Sequence, residues 1–514
     1  MNTRALLLGI DNGLTVTKAV IFEEDGTPVA VARRRVPQSF PRPRHVERDM
    51  AGLWSATAEA IREAIGKSGR PAGDIKAVAA TAHGDGLYLL DRDRRPLGAG
   101  ILSLDSRAGA TVEAWEKDGV AQRALDLTGQ SAHASAPSAL LAHIRQHEPE
   151  RFRAIGHVLA CKDWLRFCLT GVVGTDLTEA STSFTNVRTQ AFDKAALEVF
   201  GLGDLWPALP PVARPDEIVG TVTRDAAAAT GLIEGTPVAA GLHDVTASAL
   251  GIGGHAPGLL AVVAGTYSIN ELVTEEPMTD PRWFCRNGIR AGWWNSMAIS
   301  PASTANYDWF LDNFCRDLAQ KAEREGTDIH TLLRPELDQA LEKPSDIVFH
   351  PFLFGSPFGS GASAGFFGVH GWHQRGDLLK AVLEGIVFNH KLHIDDLLSR
   401  VPAERLRISG GGARSPVLAQ MFADATGLAV DVSSADEAAA WGAALVAGAA
   451  VGLHASPEAG AAATTRILRS YRPDAARSAQ LAARYDLYRQ LADGMAPHWR
   501  AIEDLAGRSR GVDG

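Results

Sequence analysis

Cysteine is scarce. Among 514 residues only Cys161, Cys168, Cys285 and Cys315 carry a thiol, and no two of them are spaced as a CxxC pair. That excludes a zinc ribbon and a disulfide framework, and it fits a reducing cytoplasm. Basic runs are short as well: Arg33-Arg34-Arg35 and the cluster from Arg92 to Arg95 read as solvated strand ends or turns. With a net charge of -9 the chain lacks the basic face that a nucleic-acid partner requires. Long apolar runs are missing too. Ala5 to Ile10 is too short for a signal peptide and reads as a buried strand. Ala438 to Leu453 is free of charge but is dominated by Ala and Gly, short of the roughly 18 to 20 strongly apolar residues of a membrane span. It predicts a tightly packed buried helix, and no membrane partner is expected. No low-complexity linker interrupts the chain.

What remains is ordinary globular composition, 46% apolar and 22% charged, in a chain longer than one hydrophobic core usually organises. Two domains are expected. The first segment alternates strand-like runs with turns: Ala5 to Ile10, Thr15 to Phe22 and Val29 to Arg35, joined through Asp11-Asn12-Gly13 and Asp25-Gly26 as antiparallel hairpins. Asp49 to Lys67 places Met50, Leu53, Trp54, Ala58, Ile61 and Ile65 near a 3.6-residue period, and a strand follows at Ile75 to Ala82. The pattern begins again near residue 258. Leu259 to Ala264 and Tyr267 to Val273 flank the turn Gly265-Thr266, and later come a helix at Asp377 to Arg400 and a strand at Leu406 to Ser409. A boundary near Gly253-Gly254 divides the chain into 1–254 and 255–514, joined closely around a cleft. Ala475 to Leu505 closes the chain as a helix packed on the outside.

Four turns carry the polar chemistry. Asp11-Asn12-Gly13-Leu14-Thr15-Val16-Thr17-Lys18 lies between two buried strands, where a glycine lets backbone approach an anion and hydroxyls can donate to it; an ordinary Asn-Gly hairpin turn has the same spelling. Asp11, just past a strand end, suits magnesium held through water. Gly265-Thr266-Tyr267-Ser268 repeats the strand, turn, strand arrangement. Gly410-Gly411-Gly412-Ala413-Arg414-Ser415 leads from a strand into a helix at Pro416 to Thr426, a place for a flat ligand against backbone and a helix N-terminus. Gly241-Leu242-His243-Asp244 precedes a small-residue helix, so Asp244 either accepts a hydroxyl proton during phosphoryl transfer or merely caps that helix. Two further clusters, His83-Gly84-Asp85-Gly86 and Asp105-Ser106-Arg107, follow buried strands and offer the donors and acceptors that a polyhydroxylated ligand needs. For Asp105 and Arg107 a purely structural ion pair is the alternative. Three look-alikes are set aside. Gly66-Lys67-Ser68 lacks the first glycine of a P-loop, Gly361-Ala362-Ser363-Ala364-Gly365 has no strand leading in and no helix following, and Cys161 and Cys168 have the spacing of a helix core.

The ordered series of segments, over residues 5 to about 455, resembles the FGGY carbohydrate kinases. Gly9-Ile10-Asp11-Asn12-Gly13 with Thr15, Thr17 and Lys18 is similar to the family's first phosphate motif, and Gly265-Thr266 to its second. Lys162-Asp163-Trp164-Leu165, Leu169-Thr170-Gly171 and Thr175-Asp176-Leu177-Thr178-Glu179-Ala180-Ser181 look like its central stretch, and Leu383-Glu384-Gly385-Ile386-Val387-Phe388 its "EGIAF" helix. Within the family the likeness is greater to L-xylulose and erythritol kinases than to glycerol kinases. Ser103 stands where D-xylulokinases usually carry tryptophan, His83 where many relatives have glutamine, and Gly355-Ser356-Pro357 where the family usually has "GERTP".

The resemblance implies an α/β fold of two actin-like ATPase (ribonuclease H-like) domains with a central cleft, ATP and Mg2+ as cofactors, and Asp244 as general base. It implies acceptor contacts at His83, Asp105 and Asp244; the polar clusters add Gly84, Asp85 and Arg107 as candidates, and His243 either orients the acceptor or simply fills its turn. Nucleotide contacts are implied at Asp11, Asn12, Gly13, Thr15, Thr17, Lys18, Gly265, Thr266, Gly411, Gly412 and Ser415, with Asp11 and Asp244 nearest the metal. The expected reaction is phosphorylation of a terminal hydroxyl of a pentulose, xylulose first, or of erythritol or another polyol. The expected partner is thus a small sugar or polyol, beside a homodimeric assembly. The rivals are an actin-like ATPase serving as chaperone or reactivating factor, and a sugar-binding regulator without catalysis.

Overall fold

In a computed structural model of the protein, residues 5–359 and 361–510 are described. In chain order the principal elements are β1 (Leu6–Asn12), β2 (Val16–Glu23), β3 (Pro28–Arg35), α1 (Met50–Ser68), β4 (Ile75–Ala82), α2 (Cys161–Thr170), β5 (Ile218–Thr221), β6 (Pro237–Ala239), α3 (Asp244–Gly251), β7 (Leu259–Ala264), β8 (Ser268–Thr274), β9 (Phe284–Asn287) and β10 (Trp294–Ser300). They continue with α4 (Ala305–Phe314), α5 (Ile329–Leu341), α6 (Arg375–Leu398), β11 (Arg405–Ser409), α7 (Pro416–Thr426), β12 (Ala429–Ser433), α8 (Ala438–Ala450), β13 (Ile467–Tyr471) and α9 (Ala475–Arg510). The expected strands and helices are present, most within one to two residues; α8 ends three residues before Leu453 and α9 runs five residues beyond Leu505. The hairpin β9–β10 and the helices between 305 and 341 were not anticipated.

Contacts divide the chain into two compact units. The first holds the residues up to Leu259, together with Glu271–Met297 and Ser434–Arg466; the second holds Leu260–Asn270, Ala298–Ser433 and the chain from Ile467 onward. The first unit therefore begins as a continuous stretch and then takes back the β9–β10 hairpin and α8.

Its sheet has the order β5-β6-β4-β1-β2-β3. β1 pairs antiparallel with β2 and β2 with β3, while β4 runs parallel to β1 and β6 parallel to β4. Side chains of a strand alternate between the two faces, and β1 uses both. Leu6, Leu8 and Ile10 pack with Ala60, Ile61 and Ala64 of α1, whereas Leu7 packs with Ala440, Ala443 and Ala444 of α8. Continuing the alternation puts Asn12 on the α1 face and Asp11 on the α8 face. The predicted buried helix is α8, and its small residues have a steric purpose. A Cβ added to Gly442 would lie 2.0 Å from the Ala247 carbonyl oxygen of α3, so only glycine allows the two helices this close.

In the second unit β7, β11, β12 and β13 are neighbours in that order, with β11 and β12 parallel and β13 antiparallel to β12. α9 packs through Tyr485, Tyr488, Ala492 and Trp499 against Phe352 and Phe388, leaving Leu487 and Leu505 exposed. Among the described residues no helix is long and apolar enough to cross a membrane.

Candidate active site

Three chain segments end side by side in the first unit. β4 is in parallel register with β1 and with the short segment Leu242–His243, so that Thr81 lies beside both Asp11 and Leu242, and Ala82 beside both Asn12 and His243. The Thr81 hydroxyl donates to the Leu242 carbonyl at 2.7 Å, and the His83 amide to the Asn12 carbonyl at 2.9 Å. Asp11, His83 and Asp244 thus stand at the carboxyl ends of adjacent parallel strands, where open α/β sheets place ligands.

Asp244 is the first residue of α3, and its Oδ1 accepts from the Val245 amide at 2.7 Å. Burial, reinforced by the charge of Asp11, pushes its carboxyl up to about 7. His243 precedes it, with Nδ1 3.4 Å from Asp244 Oδ1. Burial and then the neighbouring Arg286 drive the imidazole down to about 3, so it is neutral. Arg286, on β9, donates through Nη1 to His243 Nε2 at 2.7 Å, through Nη2 to both oxygens of Asp85 at 2.9 and 3.2 Å, and through Nε to Gln130 Oε1 at 3.3 Å. Burial raises the proton affinity of Asp85, but Arg286 and His133 outweigh it and hold the carboxyl far below the usual range. Asp85 has a φ of 58°, a left-handed conformation that non-glycine residues rarely adopt. Gly84 beside it has no room for a side chain, since a Cβ there would meet His243 Nε2 at 1.8 Å. His83 is buried and neutral, pushed down to about 4 by burial and then by Arg48; its Nε2 is 3.3 Å from the Tyr88 hydroxyl.

The Asp11–Lys18 turn is cross-braced. Lys18 lies 3.3 Å from Asp11 and 3.1 Å from Glu437, the residue preceding α8. Burial raises the proton affinity of Asp11 although Lys18 opposes it. Arg48 donates to Asn12 Oδ1 at 3.0 Å and to the Gly13 and Leu14 carbonyls, propping the turn from beneath. Gly13 closes the turn with its amide on the Val16 carbonyl, and Thr15 is exposed at its tip. Thr17 points the other way: its hydroxyl is fully buried against that of Thr57, at 3.1 Å. Asp105 and Arg107 pair with each other. Arg107 donates through Nε to Oδ1 at 2.9 Å and through Nη2 to Oδ2 at 2.8 Å, the Val46 amide takes Oδ2 at 2.7 Å, and Glu47 accepts a further bond from Arg107. Both oxygens of Asp105 are therefore engaged.

The remaining expected contacts fall in the second unit, and one cavity of about 700 Å3 gathers them: Gly265, Thr266, Gly411, Gly412 and Ser415 all line it. The Gly265 carbonyl accepts from the Thr304 amide at 3.0 Å, which fixes the turn. Ser415 caps α7 through its hydroxyl on the Leu418 amide. Leu379, Leu383 and Ile386 give the cavity an apolar wall. Sequence reading missed Arg286, Arg48 and Glu437. For Arg286 a signal existed: an arginine inside the strand spelling Phe-Cys-Arg-Asn is costly to bury and calls for a partner.

Sequence and structure comparisons agree on one identity. The FGGY family of carbohydrate kinases matches with its N-terminal domain over residues 6–251 and its C-terminal domain over 260–451. The chain is 35% identical to the L-xylulose/3-keto-L-gulonate kinase of Escherichia coli (strain K12), over 87% of this chain and 88% of that protein. It is 31% identical to the erythritol kinase of Brucella abortus (strain 2308), over 96% and 97%. The structure of xylulose kinase from Rhodospirillum rubrum superimposes with a TM-score of 0.86 at 26% identity, covering 96% of this chain and all of that one. The expected two-domain actin-like α/β fold is thereby established. The chain belongs to the FGGY family of carbohydrate kinases, phosphotransferases that use an alcohol group as acceptor.

Proposed function

We propose that the protein transfers the γ-phosphoryl group of ATP to a terminal hydroxyl of L-xylulose or a closely similar ketose, with Asp244 as general base. The observation that carries this reading is the electrostatic setting of Asp244. A carboxyl pushed up to about 7 by burial and Asp11 is poised for proton transfer near neutral pH, which is the condition for efficient general-base catalysis. The first-unit residues His83, Gly84, Asp85 and His243 would surround the acceptor. His243 holds its one ring proton toward Asp244, and Asp85 offers an anionic acceptor for hydroxyl groups. Relatives of about one-third identity act on L-xylulose, 3-keto-L-gulonate or erythritol by name, so a ketose leads and a four-carbon polyol is the second reading.

The residues present fit a magnesium ion. Asp11 and Asp244 are half-buried carboxylates close enough for the charge of one to raise the proton affinity of the other, and a hard cation that keeps most of its waters needs only one or two such oxygens beside phosphate. When bound, magnesium supplies charge neutralisation on the transferring phosphoryl group. Lys18 offsets part of the charge of Asp11 and is itself held by Glu437. The second-unit cavity, with backbone at Gly411-Gly412 and an apolar wall at Leu383 and Ile386, would take the adenosine of ATP.

A coupled ADP-release assay over L- and D-xylulose, 3-keto-L-gulonate, ribulose, xylitol, erythritol and glycerol tests the proposal, with Asp244→Ala as control. Turnover on L-xylulose that the variant lacks is expected. Turnover on erythritol alone selects the second reading, and sugar-independent ATP hydrolysis unchanged in the variant overturns both.

A further inference from the structure

Glu179 is the buried carboxyl that the proposed chemistry leaves unused. It is 4% exposed, and neither of its oxygens has a hydrogen-bond partner. Its surroundings are already balanced. Lys162, fully buried, is held between Asp163 at 2.5 Å and Asp176 at 2.8 Å; Arg166 lies 4.0 Å from Asp163. Two cations therefore face two carboxylates, and an ionised Glu179 would add an uncompensated charge in a medium that penalises it. Burial, with Asp163 and Asp176 adding to it, raises the Glu179 proton affinity well above the usual range although Lys162 and Arg286 oppose it. Glu179 is accordingly a neutral carboxylic acid, with one O–H donor and one carbonyl acceptor both unmet. Its location is specific. It lines a pocket of about 40 Å3 together with Asp85, Thr182 and the apolar Leu87, Val158 and Phe184. A single water needs roughly 10–15 Å3 of such space, so the pocket takes one hydroxymethyl group and not a whole sugar. Asp85 ties it to the Arg286–His243–Asp244 cluster.

We infer that Glu179 is a specificity-determining residue: its neutral carboxyl holds the terminal hydroxymethyl group of the acceptor at the end opposite the hydroxyl that is phosphorylated. A hydroxyl is both donor and acceptor, which is what a carboxylic acid with both functions unmet can satisfy, and the apolar walls suit the carbon that bears it. The inference rests on the ketose-kinase reading above.

The test is a binding cycle by titration calorimetry in the absence of ATP, with L-xylulose and 1-deoxy-L-xylulose against wild type, Glu179→Gln and Glu179→Ala. Wild type should bind the deoxy sugar about 10- to 100-fold more weakly, the cost of leaving a buried polar group unmet. Glu179→Ala should bind both sugars equally weakly. Glu179→Gln, which keeps a neutral donor and acceptor, should retain the wild-type discrimination within about 3-fold. Additive effects of variant and deoxy sugar, or a glutamine variant that has lost the discrimination, overturn the assignment. The glutamine arm decides alone should the alanine variant fail to fold. Wild type that binds no L-xylulose while binding ADP would instead remove the substrate reading and this inference with it.

Discussion

Arg286 sets the tautomer of His243. A guanidinium has donors only, so the 2.7 Å contact from Arg286 Nη1 leaves His243 Nε2 as acceptor and places the ring proton on Nδ1, the atom 3.4 Å from Asp244 Oδ1. The same guanidinium holds Asp85 through both carboxylate oxygens. One residue from a hairpin far along the chain thus orders three residues around the candidate base.

Replacing Arg286 by lysine should show this coupling. Arg286 serves His243, Asp85 and Gln130 through three different nitrogens, which the single nitrogen of an ammonium cannot do, and breaking a buried pair costs about 3–5 kcal/mol. We expect kcat/KM for the sugar to fall by ~10² or more, with ADP affinity unchanged. Steady-state kinetics beside nucleotide titration checks it, and a loss confined to ADP binding would refute it.

The raised carboxyl of Asp244 predicts a pH profile. Only the ionised form accepts a proton, so log kcat/KM should climb with pH and level off, with an inflection at about 7 in the metal-free setting and lower where bound magnesium favours the carboxylate. The stability sign is opposite. A carboxyl whose folded value lies above its unfolded value of 3.8 contributes stability that is complete below that value and is lost as pH rises through 7. Asp244→Asn should therefore abolish turnover, and its melting temperature should gain on wild type between about pH 4 and about pH 7 and hold that gain above it. A flat difference across that range would contradict the assigned shift.

Much of this site could be read from the chain because it is local. Asp11, His83 and Asp244 each follow a short apolar strand, and parallel pairing of those strands brings their ends together. Strand alternation also explains what the sequence left open. Thr17 belongs to the turn in sequence but faces α1, with its hydroxyl on Thr57. Arg286, Arg48 and Glu437 reach their partners across separations that no local periodicity encodes. Neither of the two readings of Asp105 and Arg107 could be preferred from spacing, since ion pair and sugar contact use the same residues.

The packing of α3 on α8 gives a steric prediction. A methyl group at position 442 would lie 2.0 Å from the Ala247 carbonyl oxygen, and backbone must move to admit it. Gly442→Ala should cost about 1–3 kcal/mol, and kcat should drop because α3 carries Asp244 at its start. Thermal denaturation and kinetics on one preparation test both; a variant as stable as wild type would show that the helices tolerate separation.

Ser415 has two duties that a single substitution separates. Its hydroxyl caps α7 at the Leu418 amide, and it lines the second-unit cavity. Loss of a cap costs about 1 kcal/mol. Ser415→Ala should show that modest loss of stability together with a raised KM for ATP and an unchanged KM for the sugar; a change in the sugar KM alone would place the nucleotide elsewhere.

Asp105 decides between scaffold and ligand. Its carboxylate takes Arg107 at 2.8 and 2.9 Å and the Val46 amide at 2.7 Å, and an amide in its place turns an NH2 group toward these donors. Asp105→Asn should therefore lower stability by about 3–5 kcal/mol, the cost of breaking a buried pair from one side. In protein kept folded at low temperature the sugar KM should stay within about 3-fold of wild type, because no lone pair was left over for a hydroxyl. A variant with nearly unchanged melting temperature and a KM raised tenfold or more would reverse the assignment and make Asp105 a direct contact of the acceptor.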